Sequence, residues 1–278
     1  MKTNNLKQFF IQKLSSIMPI SEAIGEIDFI IKEHLNINKT KLILSPQILD
    51  EYKEEVEKII NKRIEERMPL QYILNKATFF DDVYFVDENV LIPRPETELL
   101  VNEIVKYSTN KTKILEIGTG SGCIAISIAK ILKNDSITSC DISQGALNVA
   151  KLNAQNICPN RKIKFVESDI FENIAEKFDI IVSNPPYIDI EFKKDMQEEV
   201  LKFEPHNALF AENSGMLFYE KIIKNARNYL NQNGILAFEV GINQAQKVKE
   251  LLENSNFSKV IIITDLSSID RVVLGMYN

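Results

Sequence analysis

Apolar side chains recur every three or four positions in the first 75 residues, a spacing that predicts amphipathic helices. One stripe runs through Ala23, Ile24, Ile27, Ile30 and Ile31. A second runs through Leu49, Tyr52, Val56, Ile59, Ile60 and Ile64, and this segment stops at Met68-Pro69. Neither stripe carries a cluster of ligand-type side chains. We therefore predict a small helical bundle domain over residues 1–75.

The period changes from helical to alternating over residues 76–95. Residues 79–86 (FFDDVYFV) predict a β-hairpin with its turn near Asp81-Asp82. Residues 90–92 (VLI) predict a further short strand, which ends at Pro93-Arg94-Pro95 because proline cannot donate to a sheet. We expect residues 76–95 to be a β-hairpin linker between the helical domain and a larger one.

From residue 96 to residue 278, strand and helix patterns alternate. The predicted strands are 113–117, 136–140, 162–167, 179–183, 235–240, 259–264 and 271–276. The predicted helices are 97–107, 123–132, 145–155, 217–230 and 244–254. Such alternation predicts an α/β domain with a doubly wound, mainly parallel sheet that helices cover on both faces.

Composition narrows the functional classes. At about 150 residues per domain, 278 residues suggest two domains. The formal net charge is −6, whereas stable nucleic-acid binding usually needs a basic excess. Three cysteines without a CxxC pair and only two histidines argue against a disulfide framework and a metal site. The polar start, MKTNNLKQFF, and the lack of any apolar run near 18 residues lead us to expect a cytoplasmic protein without a membrane span.

The first candidate site is the turn Gly118-Thr119-Gly120-Ser121-Gly122, between a predicted strand and a predicted helix. Glycines at alternate positions let the backbone turn tightly and approach a ligand. Asp141 ends the next strand, where a carboxylate can accept both ribose hydroxyls of an adenosine. A dinucleotide and S-adenosyl-L-methionine both fit this layout, but the compact glycine spacing favours S-adenosyl-L-methionine, which has no pyrophosphate. Asp169-Ile170, after the third strand, is expected to lie along the adenine.

The second candidate site is Asn184-Pro185-Pro186-Tyr187, directly after the apolar strand 179–183. Ligands of open α/β sheets bind beyond the carboxyl ends of the strands, so this tetrapeptide should face the same pocket. The side-chain carbonyl of Asn184 and the backbone carbonyl of Pro185 can hold both hydrogens of an NH2 group. Tyr187 can cover the flat face of a planar amide or base. Held in this way, a poorly nucleophilic nitrogen is aimed at a sulfonium methyl group.

Several segments together resemble the release factor glutamine methyltransferase family (PrmC, also called HemK), and the resemblance covers nearly the whole chain. The most distinctive segment is residues 91–98, LIPRPETE. The others are MPLQYI at 68–73, EIGTGSGCIA at 116–125 and EPHNAL at 204–209. The motif at 184–187 is also found in DNA adenine and RNA guanine methyltransferases, so it does not by itself choose among them.

The resemblance implies a class I methyltransferase that uses S-adenosyl-L-methionine and leaves S-adenosyl-L-homocysteine. Its implied substrate is the side-chain amide of the glutamine in the Gly-Gly-Gln loop of peptide-chain release factors, with the helical domain recognising the protein. Gly118 to Gly122, Asp141 and Asn184 would then contact the cofactor. Asn184 to Tyr187 would hold the glutamine, which makes Asn184, Pro185 and Tyr187 the candidate catalytic residues.

Two other functional classes stay open. One is a nucleic-acid amino methyltransferase acting on adenine or guanine, which the acidic charge disfavours. The other is a non-catalytic methyltransferase-like binding module, which the presence of Asp141 and Asn184 disfavours. Nothing in the sequence demands a dimer, so we expect a monomer.

For most of the other candidate residues near these motifs, the sequence leaves two alternative roles open. Arg94 and Glu96 either frame the substrate entrance or form an ion pair at a domain joint. Glu116 either reaches the methionine amino group of the cofactor, or it packs at the strand end or caps a helix. His206 is expected to be structural, because methyl transfer to an amide needs no imidazole. Residues 191–196 are either a mobile lid or a solvated loop.

Overall fold

The computed structural model of the chain describes residues 3–45, 47–134 and 136–277. The chain forms two compact units. The first comprises the residues up to Lys76 together with Gln197–Phe203, and the second comprises Ala77–Met196 and the residues from Glu204 onward. Among the described residues, no helix combines the length and the apolar character that crossing a membrane requires.

The helices, in chain order, are α1 (Thr3–Leu14), α2 (Ile20–Phe29), α3 (Lys39–Leu44), α4 (Ile48–Glu51), α5 (Lys53–Glu66), α6 (Leu70–Leu74), α7 (Thr97–Lys106), α8 (Cys123–Leu132), α9 (Gln144–Ile157), α10 (Glu198–Phe203), α11 (His206–Leu209), α12 (Leu217–Ala226) and α13 (Ala245–Asn254). A π-helical segment, Ile30–His34, follows α2, and a 3-10 helix spans Ile190–Asp195.

The strands, in chain order, are β1 (Ala77–Phe79), β2 (Asp82–Tyr84), β3 (Ile114–Ile117), β4 (Ile137–Asp141), β5 (Ile163–Glu167), β6 (Phe178–Ser183), β7 (Ile188–Asp189), β8 (Phe210–Ala211), β9 (Leu230–Glu239), β10 (Phe257–Thr264) and β11 (Asp270–Tyr277). The sequence analysis misses the short elements α10, α11, β7 and β8, because pieces of two to six residues are too short to show a period.

The first unit is built on the apolar stripes of its helices. Its core includes Leu6, Phe10, Leu14, Ala23, Ile27, Ile30, Val56, Ile59 and Ile60, all buried. Their spacing puts them on one face of each helix, where burial removes apolar surface from water. Ile24, which belongs to the predicted first stripe, is 41% exposed and stays outside this core.

A buried arginine links three helices of the first unit. The Arg63 side chain on α5 is only 5% exposed. Its Nε donates to Glu26 Oε1 of α2 at 3.0 Å, and its Nη1 donates to Glu199 Oε2 of α10 at 2.6 Å. A guanidinium presents a fork of donors that can serve two carboxylates at once. The ion pair with Glu199 explains why residues 197–203 group with the N-terminal helices, a return of the chain that no sequence pattern indicates.

The hairpin at the start of the second unit pairs β1 with β2 in antiparallel register, with Phe79 opposite Asp82. The turn is therefore Phe80-Asp81. The short strand predicted over residues 90–92 is wrong. The N–H of Val90 donates to Asp87 in a turn, and the N–H of Ile92 donates to the Glu204 carboxylate. Val90 and Ile92 are nevertheless buried, so their apolar character reflects packing rather than a β-ladder.

The second unit contains a seven-stranded sheet in the order β10-β11-β9-β6-β3-β4-β5. Only β11 runs antiparallel to its two neighbours, so the predicted mainly parallel sheet is confirmed. Successive residues of each central strand enter opposite cores. Ile180 packs with α7 and α8, whereas Ile181 packs with α12 and α13. Helices therefore cover both faces, as the apolar runs of the strands predict.

The sheet reverses its winding between β3 and β6. From β3 the chain adds β4 and then β5 on one side, and β6 then pairs with β3 on the other side. The loops that follow β3 and β6 consequently leave the sheet side by side at its carboxyl edge. Such a switch point opens a crevice in which open α/β sheets bind their ligands.

We predict that Arg63→Ala destabilises the first unit by about 3 kcal/mol, because removing one partner of a buried ion pair leaves carboxylates uncompensated. Urea unfolding followed by far-ultraviolet circular dichroism measures the change. Lys62→Ala, at an exposed position of the same helix, is the matched control. An Arg63→Ala midpoint equal to that of the control would show that the ion pair contributes nothing.

Candidate active site

A cavity of about 320 Å³ lies at the carboxyl edge of the seven-stranded sheet. Every residue in its wall belongs to the second unit. The wall includes most of the residues that the sequence analysis singles out: Gly118, Thr119, Gly120, Ser121, Asp141, Asp169, Ile170, Asn184, Pro185 and Pro186. The structure thus brings both candidate sites into one cavity. Gly122 and Tyr187 stand outside its wall.

Asp141 ties the loops after β3 and β4 together. Its Oδ2 accepts the N–H of Gly120 at 2.9 Å, and its Oδ1 accepts the N–H of Ser143 at 2.9 Å. Burial raises the pKa of Asp141, although these backbone donors oppose the shift. Each carboxylate oxygen keeps a further lone pair, so Asp141 can still accept hydrogen bonds from a ligand in the cavity.

Gly122 has a different function from the other glycines of the turn. It is the N-cap residue of α8 and has a φ of 83°, a left-handed conformation that favours glycine. A Cβ placed there would lie 2.9 Å from Ile126 Cδ1 and 3.1 Å from Ala150 Cβ. The absence of a side chain therefore lets α8 approach α9 closely.

Glu116 is a carboxyl group buried beneath the glycine-rich turn. Its Oε2 accepts hydrogen bonds from Thr119 Oγ1, at 2.9 Å, and from the hydroxyl of Ser139. Its Oε1 has no partner among the described residues, although the residue is only 1% exposed. Burial raises the pKa of Glu116 to about 7. An orphaned buried acceptor beside the turn suits a ligand with a donor group, such as an ammonium.

Asn184 and Pro185 follow β6 directly and line the cavity. The Ser183 hydroxyl donates to the carbonyl of Ile117 at 2.8 Å, which fixes the end of β6 against the end of β3. Asn184 Nδ2 donates to Thr97 Oγ1 at 3.2 Å. An asparagine whose amide nitrogen is engaged in this way keeps its carbonyl oxygen as an acceptor for the cavity.

Tyr187 lies behind the cavity wall. Its hydroxyl donates to Glu239 Oε1 at 3.5 Å, and its backbone carbonyl accepts Gln244 Nε2 at 2.8 Å. Burial raises the pKa of Tyr187, so the phenol stays protonated and serves as a donor. Its predicted role over the face of an amide remains a prediction.

Both parts of the chain match known proteins. Residues 6–74 match the family model of the PrmC N-terminal domain, and residues 95–212 match that of the methyltransferase small domain. A solved methyltransferase from Pyrococcus furiosus, 17% identical, shares the fold with a TM-score of 0.54 over 81% of this chain and 98% of that one. The release factor glutamine methyltransferase of Lactococcus lactis is 40% identical over 89% of this chain and 92% of that protein. That of Flavobacterium psychrophilum is 40% identical over 98% of both chains.

The chain belongs to the release factor glutamine methyltransferase family.

The sequence leaves the roles of Arg94, Glu96 and His206 open, and the structure of this release factor glutamine methyltransferase family member shows their positions and contacts. Arg94 lines the cavity and forms an ion pair with Glu204, whose side chain is only 1% exposed. Glu96 is not its partner. Burial raises the pKa of Tyr187 and of Glu239, and the charge of Glu96 adds to both shifts. His206 is exposed, lies outside the cavity wall and sets its ring edge-on to Phe210 at 5.4 Å.

The segment after Tyr187 is a 3-10 helix over Ile190–Asp195, with Ile190 63% and Phe192 60% exposed. The choice between a lid and a solvated loop stays a prediction.

Two residues in or beside the cavity, Thr97 and Glu239, are not predicted from the sequence. Thr97 lies in the distinctive segment 91–98 but is not singled out as chemical. Glu239 ends the buried strand β9 and is 2% exposed. A single charged residue within the apolar run 235–240 is the signal that could have found it, because charged side chains are almost never fully buried without partners.

We predict that Glu116→Gln flattens the dependence of stability on pH. The raised pKa means that the stability contributed by Glu116 is fully present below its ordinary pKa of 4.5 and is lost as the pH rises through about 7. As the pH rises from 5 to 8, the free energy of unfolding of the variant should therefore increase by up to about 3 kcal/mol relative to that of the wild type. Urea unfolding across this range tests it, with the exposed Glu172→Gln as control. Parallel curves for wild type and Glu116→Gln would contradict the prediction.

Proposed function

We propose that the protein methylates the side-chain amide nitrogen of the glutamine in the Gly-Gly-Gln loop of peptide-chain release factors. The methyl donor is S-adenosyl-L-methionine, and the product is S-adenosyl-L-homocysteine. The observation that carries the proposal is the meeting of Asn184 and Pro185 with the glycine-rich turn and Asp141 in one cavity. The membership of the chain in the release factor glutamine methyltransferase family supports the choice of substrate.

The residues of the cavity fit this cofactor. When bound, S-adenosyl-L-methionine supplies an electrophilic methyl group on a sulfonium. Asp141 can accept the ribose hydroxyls, while the Gly118–Ser121 turn leaves room for close backbone approach. Glu116 is not in the cavity wall but lies next to the glycine-rich turn, and its unpartnered Oε1 is proposed as an acceptor for the amino group of the methionine moiety. Asp169 and Ile170 line the same cavity and are proposed to lie along the adenine.

Asn184 and Pro185 compensate for the weak nucleophilicity of the amide nitrogen of the substrate. The lone pair of an amide nitrogen is delocalised, so the nitrogen attacks only when it is positioned and its planarity is weakened. Asn184 Oδ1 and the carbonyl of Pro185 accept its two hydrogens, which aims the nitrogen and favours the pyramidal transition state. The nitrogen exchanges one proton for the methyl group, and we propose that this proton leaves to water.

A protein substrate suits the chain better than a nucleic acid does. The formal net charge of −6 offers no electrostatic attraction to a phosphate backbone. The N-terminal unit matches the PrmC N-terminal domain and is proposed to recognise the release factor. Cys123, Cys140 and Cys158 are buried and form no disulfide. These features support an enzyme of the reducing cytoplasm without stable nucleic-acid binding, and the monomeric state is proposed because nothing in the sequence demands a dimer.

We predict that radiolabelled S-adenosyl-L-methionine labels an intact release factor and that Asn184→Ala lowers this rate at least about a hundredfold. The variant loses one of the two acceptors that orient the amide, an effect comparable to the loss of an oxyanion-hole donor. The measurement is the initial rate of label incorporation at saturating cofactor.

Two further acceptors make this test decisive. A release factor whose loop glutamine is changed to alanine should take no label, and bulk DNA or RNA should take none. Label on nucleic acid but not on the release factor would overturn the proposal in favour of an amino methyltransferase acting on adenine or guanine.

A further inference from the structure

A buried carboxyl group lies next to residues 184–187, which we call the acceptor motif. Glu239 ends β9, is only 2% exposed and stands outside the cavity wall. Its Oε2 has no hydrogen-bond partner among the described residues. A buried carboxylate is costly unless its surroundings use it. Its neighbours include Asn184 and Tyr187 of the acceptor motif, so Glu239 lies where it can help to arrange that motif.

The surroundings of Glu239 are polar on the side of the acceptor motif. Burial raises the pKa of Glu239 to about 7, and the nearby polar side chains of Thr97 and Asn184 oppose this shift. The Tyr187 hydroxyl donates to Oε1 at 3.5 Å. The other titratable or charged groups that face this carboxyl from the packed elements are Glu96, Cys123, Tyr219 and Arg271.

The hydrogen-bond roles in this cluster are constrained by chemistry. An ionised carboxylate can only accept, whereas a threonine hydroxyl has one hydrogen to give. If that hydrogen goes to Glu239, Thr97 Oγ1 can only accept from Asn184. The structure shows the Asn184 half of this arrangement, in which Asn184 Nδ2 donates to Thr97 Oγ1 at 3.2 Å. The Asn184 amide is then oriented with its nitrogen toward Thr97, and its carbonyl oxygen is left for the cavity.

We propose that Glu239 is a positioning residue that acts through Thr97 and sets the orientation of the Asn184 amide. It does not touch the substrate; it ensures that Asn184 presents an oxygen rather than an NH2 group to the nitrogen to be methylated. This inference rests on the proposed function and adds to it the group that decides whether the Asn184 acceptor faces the substrate.

With Glu239 in this role, the rate of methylation depends on whether its carboxyl group is ionised. A protonated carboxyl can donate to Thr97, which frees the threonine hydrogen for Asn184 Oδ1 and turns the amide round. An NH2 group would then face the NH2 of the substrate, and the hydrogen bonds would be lost. The kcat for methylation should therefore fall as the pH drops through about 7, the pKa of the buried carboxyl.

The first test is the pH profile of kcat for Glu239→Gln at saturating cofactor and release factor. A glutamine does not titrate, so the limb near pH 7 should disappear, and kcat at pH 8 should fall at least about tenfold because the charged acceptor is gone. Affinity for S-adenosyl-L-methionine, measured by calorimetry, should stay within about threefold of wild type. Glu103→Gln, a buried glutamate of α7 that pairs with Lys106, is the matched control and should keep the wild-type profile.

Substitutions of Thr97 provide a second, independent test. Thr97→Val removes the hydroxyl with little change of shape and should lower kcat at least about tenfold. Thr97→Ser restores the hydroxyl and should return kcat to within about threefold of wild type. A purely structural role of the position predicts that Val, the closer match in shape, is tolerated better than Ser.

The outcomes separate this inference from the proposed function. A wild-type enzyme that does not label the release factor overturns both. A wild-type enzyme that labels it, with Glu239→Gln keeping the wild-type kcat and the limb near pH 7, overturns the positioning role alone. If Glu239→Gln does not fold, the Thr97 pair decides, and equal activity of Thr97→Val and wild type overturns the inference.

Discussion

The parallel pairing of β3 with β6 is the constraint on which the rest of the site depends. Ile117 lies opposite Ser183, so the two strands end at the same level. The glycine-rich turn begins one residue after Ile117, and the acceptor motif begins one residue after Ser183. A slip of this register would separate methyl donor from acceptor by a residue length, whereas group transfer needs reacting atoms within about 3.5 Å. The Ser183 hydroxyl, bonded to the Ile117 carbonyl, secures this alignment through side chain as well as backbone.

Three buried acidic side chains lie around this cavity, and each has different hydrogen-bond partners. Asp141, which ends β4, accepts from the loop after β3. Glu116 accepts from Thr119 of the glycine-rich turn, and Glu239 accepts from Tyr187 of the acceptor motif. Burial raises the pKa of all three. The unit thus keeps several carboxyl groups away from water around one cavity, an arrangement that costs stability and is typical of sites that bind and orient polar ligands.

The parts of the site that the sequence could predict are the local ones. The turn at residues 118–122 and the motif at 184–187 are contiguous, and each follows an apolar strand whose end fixes its place. The polar cluster of Thr97, Asn184 and Glu239 could not be predicted, because its members are separated by more than fifty residues and meet only through tertiary packing. The same reason applies to Arg63 and Glu199. The error at residues 90–92 has another cause, since an apolar triplet before proline looks alike in a strand and in a buried loop.

The place of β11 in the sheet bears on the order in which this enzyme takes shape during synthesis. This strand is inserted between β9 and β10, although it follows both in the chain. A nascent chain that has emerged as far as residue 264 contains β9 and β10 but has nothing to join them. Glu239 is opposite Val272 in the final ladder. The acceptor side of the cavity therefore gains its last backbone support only when residues 270–277 have left the ribosome, and until then the edge of β9 is open to pairing with other chains.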